Sequence, residues 1–184
     1  MPITKDILHL FKQDIPTFIE TGTYRGDGVA AALSCGFENI FSIEAYKPLY
    51  DKCEERFKNN QNVFLLQGDS SKDFKLILEK LTSRAVFWLD AHHIGGPNDT
   101  TVFEIQPIIT ELEQIRQHSI KNHTILIDDR RLFNGEFSSF HNMQEEEVTL
   151  ELKKINSNYT IRYVDSSRFK LDIIVAEIRN EMFS

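Results

Sequence analysis

No stretch of this chain approaches the ~18 consecutive apolar residues of a membrane span. The N-terminal MPITKDILHLFKQD alternates apolar with charged residues where a signal peptide would carry an unbroken apolar core. These two absences predict a cytoplasmic protein with no membrane span. Clustered basic charge is missing as well: 28 Asp and Glu outweigh 21 Lys and Arg, for a net charge of −7, so no nucleic-acid partner is expected. Cysteine is scarce. Cys35 and Cys53 match no metal or redox spacing and read as buried free thiols within helices. Nothing divides the chain: internal repeats, low-complexity tracts and linkers are all lacking. With 41% hydrophobic and 11% aromatic residues, the 184 residues suit a single domain, 1–184, in which an N-terminal helix within 1–16 precedes a core spanning 17–178.

What the sequence does have is a regular alternation. Apolar β-branched and aromatic runs recur at 17–21 (TFIET), 39–45, 62–69, 85–91, 124–129, 159–165 and 172–178, which predicts seven strands. Helical patterns fall between the first five, at 27–35, 47–59, 71–82 and 104–118, and a further helix is expected near 144–156. Strands this continuously apolar belong in a parallel sheet covered on both faces, so the fold class is α/β, a single doubly wound and mostly parallel sheet. The last two runs are joined by only a short link and should form an antiparallel pair at the sheet edge.

Acids cluster where the strands end: Glu20, Glu44, Asp69, Asp90, and the pair Asp128 and Asp129. In an open α/β sheet, ligands bind outside the carboxyl ends of the strands, so these residues should line one crevice. A single one of them would read as a helix cap or a solvated loop acid; five strand ends in register argue for a site. Between the first strand and the first helix of the alternation lies ETGTYRG (20–26), an acid followed by a tight glycine turn opening a helix near Asp27.

That loop resembles the nucleotide loop of class I S-adenosylmethionine-dependent methyltransferases. The resemblance implies a sheet order of 3-2-1-4-5-7-6 with strand 7 antiparallel, and S-adenosylmethionine as cofactor. Its contacts would come from Glu20, Thr21, Gly22, Thr23, Tyr24 and Gly26 in the loop, and from Glu44 with Ala45 at the ribose. Asp69 with Ser70 would reach the adenine, and Asp90 would line the pocket. A nicotinamide dehydrogenase is the competing reading. Glu44 has the right spacing for it, but Glu20 and Thr21 stand where its loop should be glycine.

Two further segments, FWLDAHHIGG (87–96) and ILIDDRRLF (125–133), resemble the metal triad of the metal-dependent O-methyltransferases of the macrocin and sugar type. Asp90, Asp128 and Asp129 would hold Mg2+, the hard cation that an all-oxygen set selects. His92, two residues beyond Asp90, is the general-base candidate beside Asp90 in the catalytic set; His92 and His93 are otherwise plain loop histidines. His9, His118, His123 and His141 read as surface residues. Arg130 and Arg131 are either solvated or grip an anionic group on the acceptor. Without a long N-terminal cap, acceptor recognition would fall to loops 92–103 and 130–143.

The expected activity is O-methylation of a hydroxyl on a sugar, a glycan precursor or another small-molecule acceptor, in a chain that could also form a homodimer. The alternatives are a metal-independent small-molecule N- or O-methyltransferase, or a catalytically silent cofactor-binding module.

Overall fold

The computed structural model describes residues 3–91 and 107–178. Seven strands form one sheet: β1 (Thr17–Thr21), β2 (Asn39–Glu44), β3 (Val63–Gln67), β4 (Ala85–Leu89), β5 (Thr124–Ile127), β6 (Thr160–Val164) and β7 (Ile173–Glu177). Their order across the sheet is β3-β2-β1-β4-β5-β7-β6. The first five pair in parallel, and β7 runs antiparallel to both β5 and β6. This is the doubly wound architecture that the alternating strands and helices predict.

The helices divide between the two faces because successive residues of a strand point to opposite sides. Phe18, Val86, Trp88 and Leu126 face α1 (Lys5–Lys12), α2 (Asp27–Ser34) and α3 (Lys47–Phe57), which bury Leu8, Phe11, Val29, Ala32, Cys53 and Phe57 against them. Ile19, Phe87, Leu89, Ile125 and Ile127 face the other side. There α5 (Lys75–Leu78), α6 (Pro107–Gln117) and α7 (Glu145–Ile155) contribute Ile77, Leu112, Ile115 and Leu152. All five residues of β1 and all five of β4 are buried, as central parallel strands require.

Three local expectations are corrected. The helix predicted at 71–82 is two short ones, α4 (Ser70–Asp73) and α5, because the Lys75 amide donates to Gln114 Oε1 on α6 at 2.8 Å instead of continuing the helical ladder. His123 is not on the surface. It is fully buried, its Nδ1 accepts the Ala85 amide at 3.1 Å, and its ring packs edge-on to Phe87 at 4.9 Å. Burial holds this imidazole well below its usual range, at about 4. Of the two cysteines, only Cys53 is buried in a helix; Cys35 is the partly exposed C-cap of α2. No helix among the described residues is long and apolar enough to cross a membrane.

Phe87 is central to this packing, touching His123 on one side and lying edge-on to Phe74 at 6.1 Å on the other. Phe87→Ala should destabilise the fold by about 3–5 kcal/mol, as buried aromatic truncations do. Chemical denaturation checks this, and a loss under about 1 kcal/mol would contradict the packing described.

Candidate functional site

The register of the sheet brings the strand ends to one level. Thr21 is opposite Ile43 on one side and Leu89 on the other, and Leu89 is opposite Ile127. The residues that follow, Glu44, Asp90 and Asp128, therefore emerge side by side along the carboxyl edge. Backbone bonds keep them there: Gly22 and Thr23 donate to the Ile43 carbonyl, Asp90 to the Thr21 carbonyl and Asp128 to the Leu89 carbonyl.

The loop after β1 is left-handed at three residues, Gly22 (φ +82), Tyr24 (φ +51) and Gly26 (φ +80). Packing within the protein itself requires both glycines. A Cβ on Gly22 would lie 2.8 Å from the Asp90 carbonyl oxygen, and one on Gly26 would lie 2.5 Å from the Phe57 ring. Each lets the loop press against its own protein. Gly28, at the start of α2, does the same for Glu20, whose Oε1 would be 1.8 Å from an added Cβ.

Glu20 is accordingly buried beneath the loop. Its Oε2 accepts from Ser42 Oγ at 2.8 Å, and that hydroxyl is in turn 2.5 Å from Thr23 Oγ1. Burial pushes the Glu20 carboxyl up to about 8, against the Ser42 hydrogen bond and with the help of the nearby Asp90 and Glu44 charges. Glu44 is differently held: Oε2 accepts the Tyr24 amide at 2.7 Å and Oε1 the Tyr46 amide at 2.9 Å. Two fixed amides orient this carboxylate at the strand end. Thr21 is buried and its hydroxyl accepts the Asp90 amide at 3.3 Å. Asp69 caps α4, accepting from the Ser71 amide and hydroxyl, with Lys72 at 3.0 Å; these contacts outweigh burial and hold it below the usual carboxylate range.

Beyond β4 and β5, one carboxylate oxygen each from Asp90, Asp128 and Asp129 lies within 4.8 Å of the others. Burial, and then the Asp90 charge, push Asp128 up to about 7. Oxygen donors this close, from carboxylates that resist ionising together, suit a hard divalent cation. His92 and His93, and loop 92–103 with them, lie outside the described residues. Arg130 and Arg131 reach solvent but are also ion-paired within the protein: Arg130 Nε is 2.7 Å from Glu145 Oε2, and Arg131 Nη1 is 2.6 Å from Asp129 Oδ1.

Sequence reasoning missed Glu111. It sits on α6, one residue before buried Leu112, and lines the same cleft as Asp90, Asp128 and Asp129. Its carboxyl is buried, and burial raises it to about 7, opposed by the hydroxyls of Ser70 and Thr21. The signal was available: Ile108, Leu112 and Ile115 make an apolar stripe at helical spacing, and Glu111 falls within it. An acid there is expensive to bury and is a functional candidate for that reason.

No known protein family and no curated protein matches this sequence. Solved structures do match it in shape. Over 94% of this chain and 81% of its own, a candidate caffeoyl-CoA O-methyltransferase from Staphylococcus aureus superposes with a TM-score of 0.63 at 12% identity. Podospora anserina methyltransferase PaMTH1, bound to S-adenosylhomocysteine, does so over 96% of this chain and 76% of its own, with a TM-score of 0.60 at 13% identity. Streptomyces venezuelae DesVI reaches 0.63 over 95% and 89%, at 9% identity. The chain has the class I methyltransferase fold. Within that fold, the carboxyl edge carrying Glu20, Glu44, Asp90 and Asp128 is the open end of the parallel strands, where α/β sheets bind ligands.

The raised acids make stability depend on pH. An acid whose folded pKa lies above its unfolded value stabilises the fold fully below the unfolded value and loses that contribution as pH climbs through the folded one. For Glu20 the window is 4.5 to about 8 and for Glu111 4.5 to about 7. His123 acts in the opposite sense, losing stability as pH falls from 6.5 to about 4, so it is silent above 6.5. The ligand-free protein should therefore be less stable at pH 8.5 than at 6.5, by roughly 2 kcal/mol, with Glu20→Gln removing much of the slope. Thermal unfolding at the two pH values measures this, and equal or greater stability at the higher one would contradict it.

Proposed function

We propose that this protein is an S-adenosylmethionine-dependent methyltransferase that uses a divalent cation, most simply Mg2+, to methylate a hydroxyl of a sugar or other small polar acceptor. The observation that carries the proposal is the shared edge. A buried carboxylate held by two backbone amides (Glu44) stands at the end of β2, and three carboxylates with converging oxygens stand two and three strands away.

In this reading Glu44 accepts the two ribose hydroxyls of the cofactor, an ionised carboxylate being an acceptor for such donors. Asp69 and Ser70 lie at the adenine end, with Ala45 beside Glu44. Glu20 supports the loop from beneath, through Ser42 and Gly28, so that Gly22, Thr23 and Tyr24 present backbone toward the methionine portion; a contact from Glu20 to the cofactor would pass through water. Asp90, Asp128 and Asp129 hold the cation. When bound, that cation would lower the pKa of an acceptor hydroxyl and fix its place beside the methyl group. Phe133 and Phe140 line the cleft next to the three acids and exclude water there. His92 is the proposed base, on the strength of its sequence position two residues after Asp90. A cytoplasmic setting and a homodimer belong to the same proposal.

Titration calorimetry with S-adenosylhomocysteine tests the cofactor half. The protein should bind it with micromolar affinity, and Glu44→Ala should weaken binding by about 1.5–3 kcal/mol, the worth of hydrogen bonds to a charged group. Absence of binding to the unaltered protein, with NAD bound instead, would contradict the reading.

A further inference from the structure

We propose that Asp172 and Arg131 form a positioning relay for Asp129, so that Asp172, which immediately precedes β7 and is remote in sequence, sets the strength of the cation site. The inference rests on the cation-assisted reading above.

Asp129 needs such support. Its backbone is left-handed (φ 61), a conformation that a residue with a Cβ rarely adopts without being held there. Two residues on, Arg131 turns back and places Nη1 2.6 Å from Asp129 Oδ1. The same Nη1 is 2.5 Å from Asp172 Oδ2, and the other oxygen of Asp172 accepts the Arg131 amide at 3.1 Å. The Asp172 carbonyl accepts the Arg130 amide at 2.9 Å. Asp172 therefore grips the turn after β5 through both its side chain and its backbone. It is 2% exposed, whereas Arg131 is exposed, with its guanidinium 4.2 Å from the centre of the Phe169 ring.

Sheet topology explains how a residue 43 positions away comes to do this. The antiparallel pairing of β7 with β5 sets Ile174 opposite Ile127, which brings the first residues of β7 to the end of β5 where Asp128 and Asp129 emerge. The hairpin joining β6 to β7 thus reaches the site through one buried carboxylate. A guanidinium nitrogen such as Nη1 carries two N–H bonds, so it can serve both carboxylates at once. Groups that hold a ligating carboxylate in place typically govern metal affinity by about 10–100-fold.

The test is Mn2+ binding by the full chain, followed by electron paramagnetic resonance, with S-adenosylhomocysteine binding measured in parallel by calorimetry. Asp172→Asn, which keeps the shape but loses the charge that holds the guanidinium, should weaken Mn2+ binding about 10–100-fold and leave the nucleoside affinity within about twofold. Arg131→Lys, which retains the charge on a flexible stem without the rigid planar group, should fall between the two. Should Asp172→Asn not fold, Arg131→Gln, at an exposed position, should show the same loss. A role confined to tying β7 to β5 would lower the melting temperature without moving Mn2+ affinity. Unchanged Mn2+ affinity in a folded Asp172→Asn or Arg131→Gln protein therefore overturns the relay while leaving the cation reading intact. Failure of the unaltered protein to bind Mn2+ overturns both.

Discussion

The rest of this structure turns on one constraint: carboxylates delivered to the ends of neighbouring parallel strands must be kept close together without unfolding the sheet. Strands in a parallel sheet lie about 4.8 Å apart, so acids at equivalent ends of adjacent strands are within reach of each other's charge. The fold answers differently at each strand. Glu20 is buried beside a hydroxyl and pushed toward its neutral form, Glu44 takes two backbone amides, and Asp129 takes a guanidinium. Asp128 is buried against Asp90 and pushed up by it.

Seen this way, the glycine loop and the ion pairs do related work. The positive-φ turns at Gly22 and Gly26 let the loop settle against the Asp90 backbone and the Phe57 ring, which fixes the loop to the carboxyl edge before any ligand arrives. Arg131 and Asp172 do the same for the other end of the edge. A site organised in this way spends little conformational entropy on binding, because both its loop and its carboxylates are already held.

The seven strands were legible because each is a short run of β-branched and aromatic residues bounded by turn signals, and the acids at their ends follow from the same reading. Their convergence depended on register, which the sequence implied only through strand alternation. The break at Lys75 could not be read, since it depends on an amide meeting Gln114 from another helix. His123 was misplaced because its polar neighbours in HSIKNHT hide a ring that faces Phe87 across the core. Arg131 and Asp172 are 41 residues apart and meet only once β7 pairs with β5. Glu111 was the one miss with a local signal, a charge set in an apolar stripe.

On the proposed function, one carboxyl edge binds both an adenosyl cofactor and a cation. Crystals grown with S-adenosylhomocysteine and Mn2+, measured at the manganese absorption edge, test it directly. The account predicts ribose density on the Glu44 carboxylate and an anomalous peak among Asp90, Asp128 and Asp129. Nucleoside density elsewhere on the molecule, or an edge holding only water at saturating concentrations of both, would contradict it.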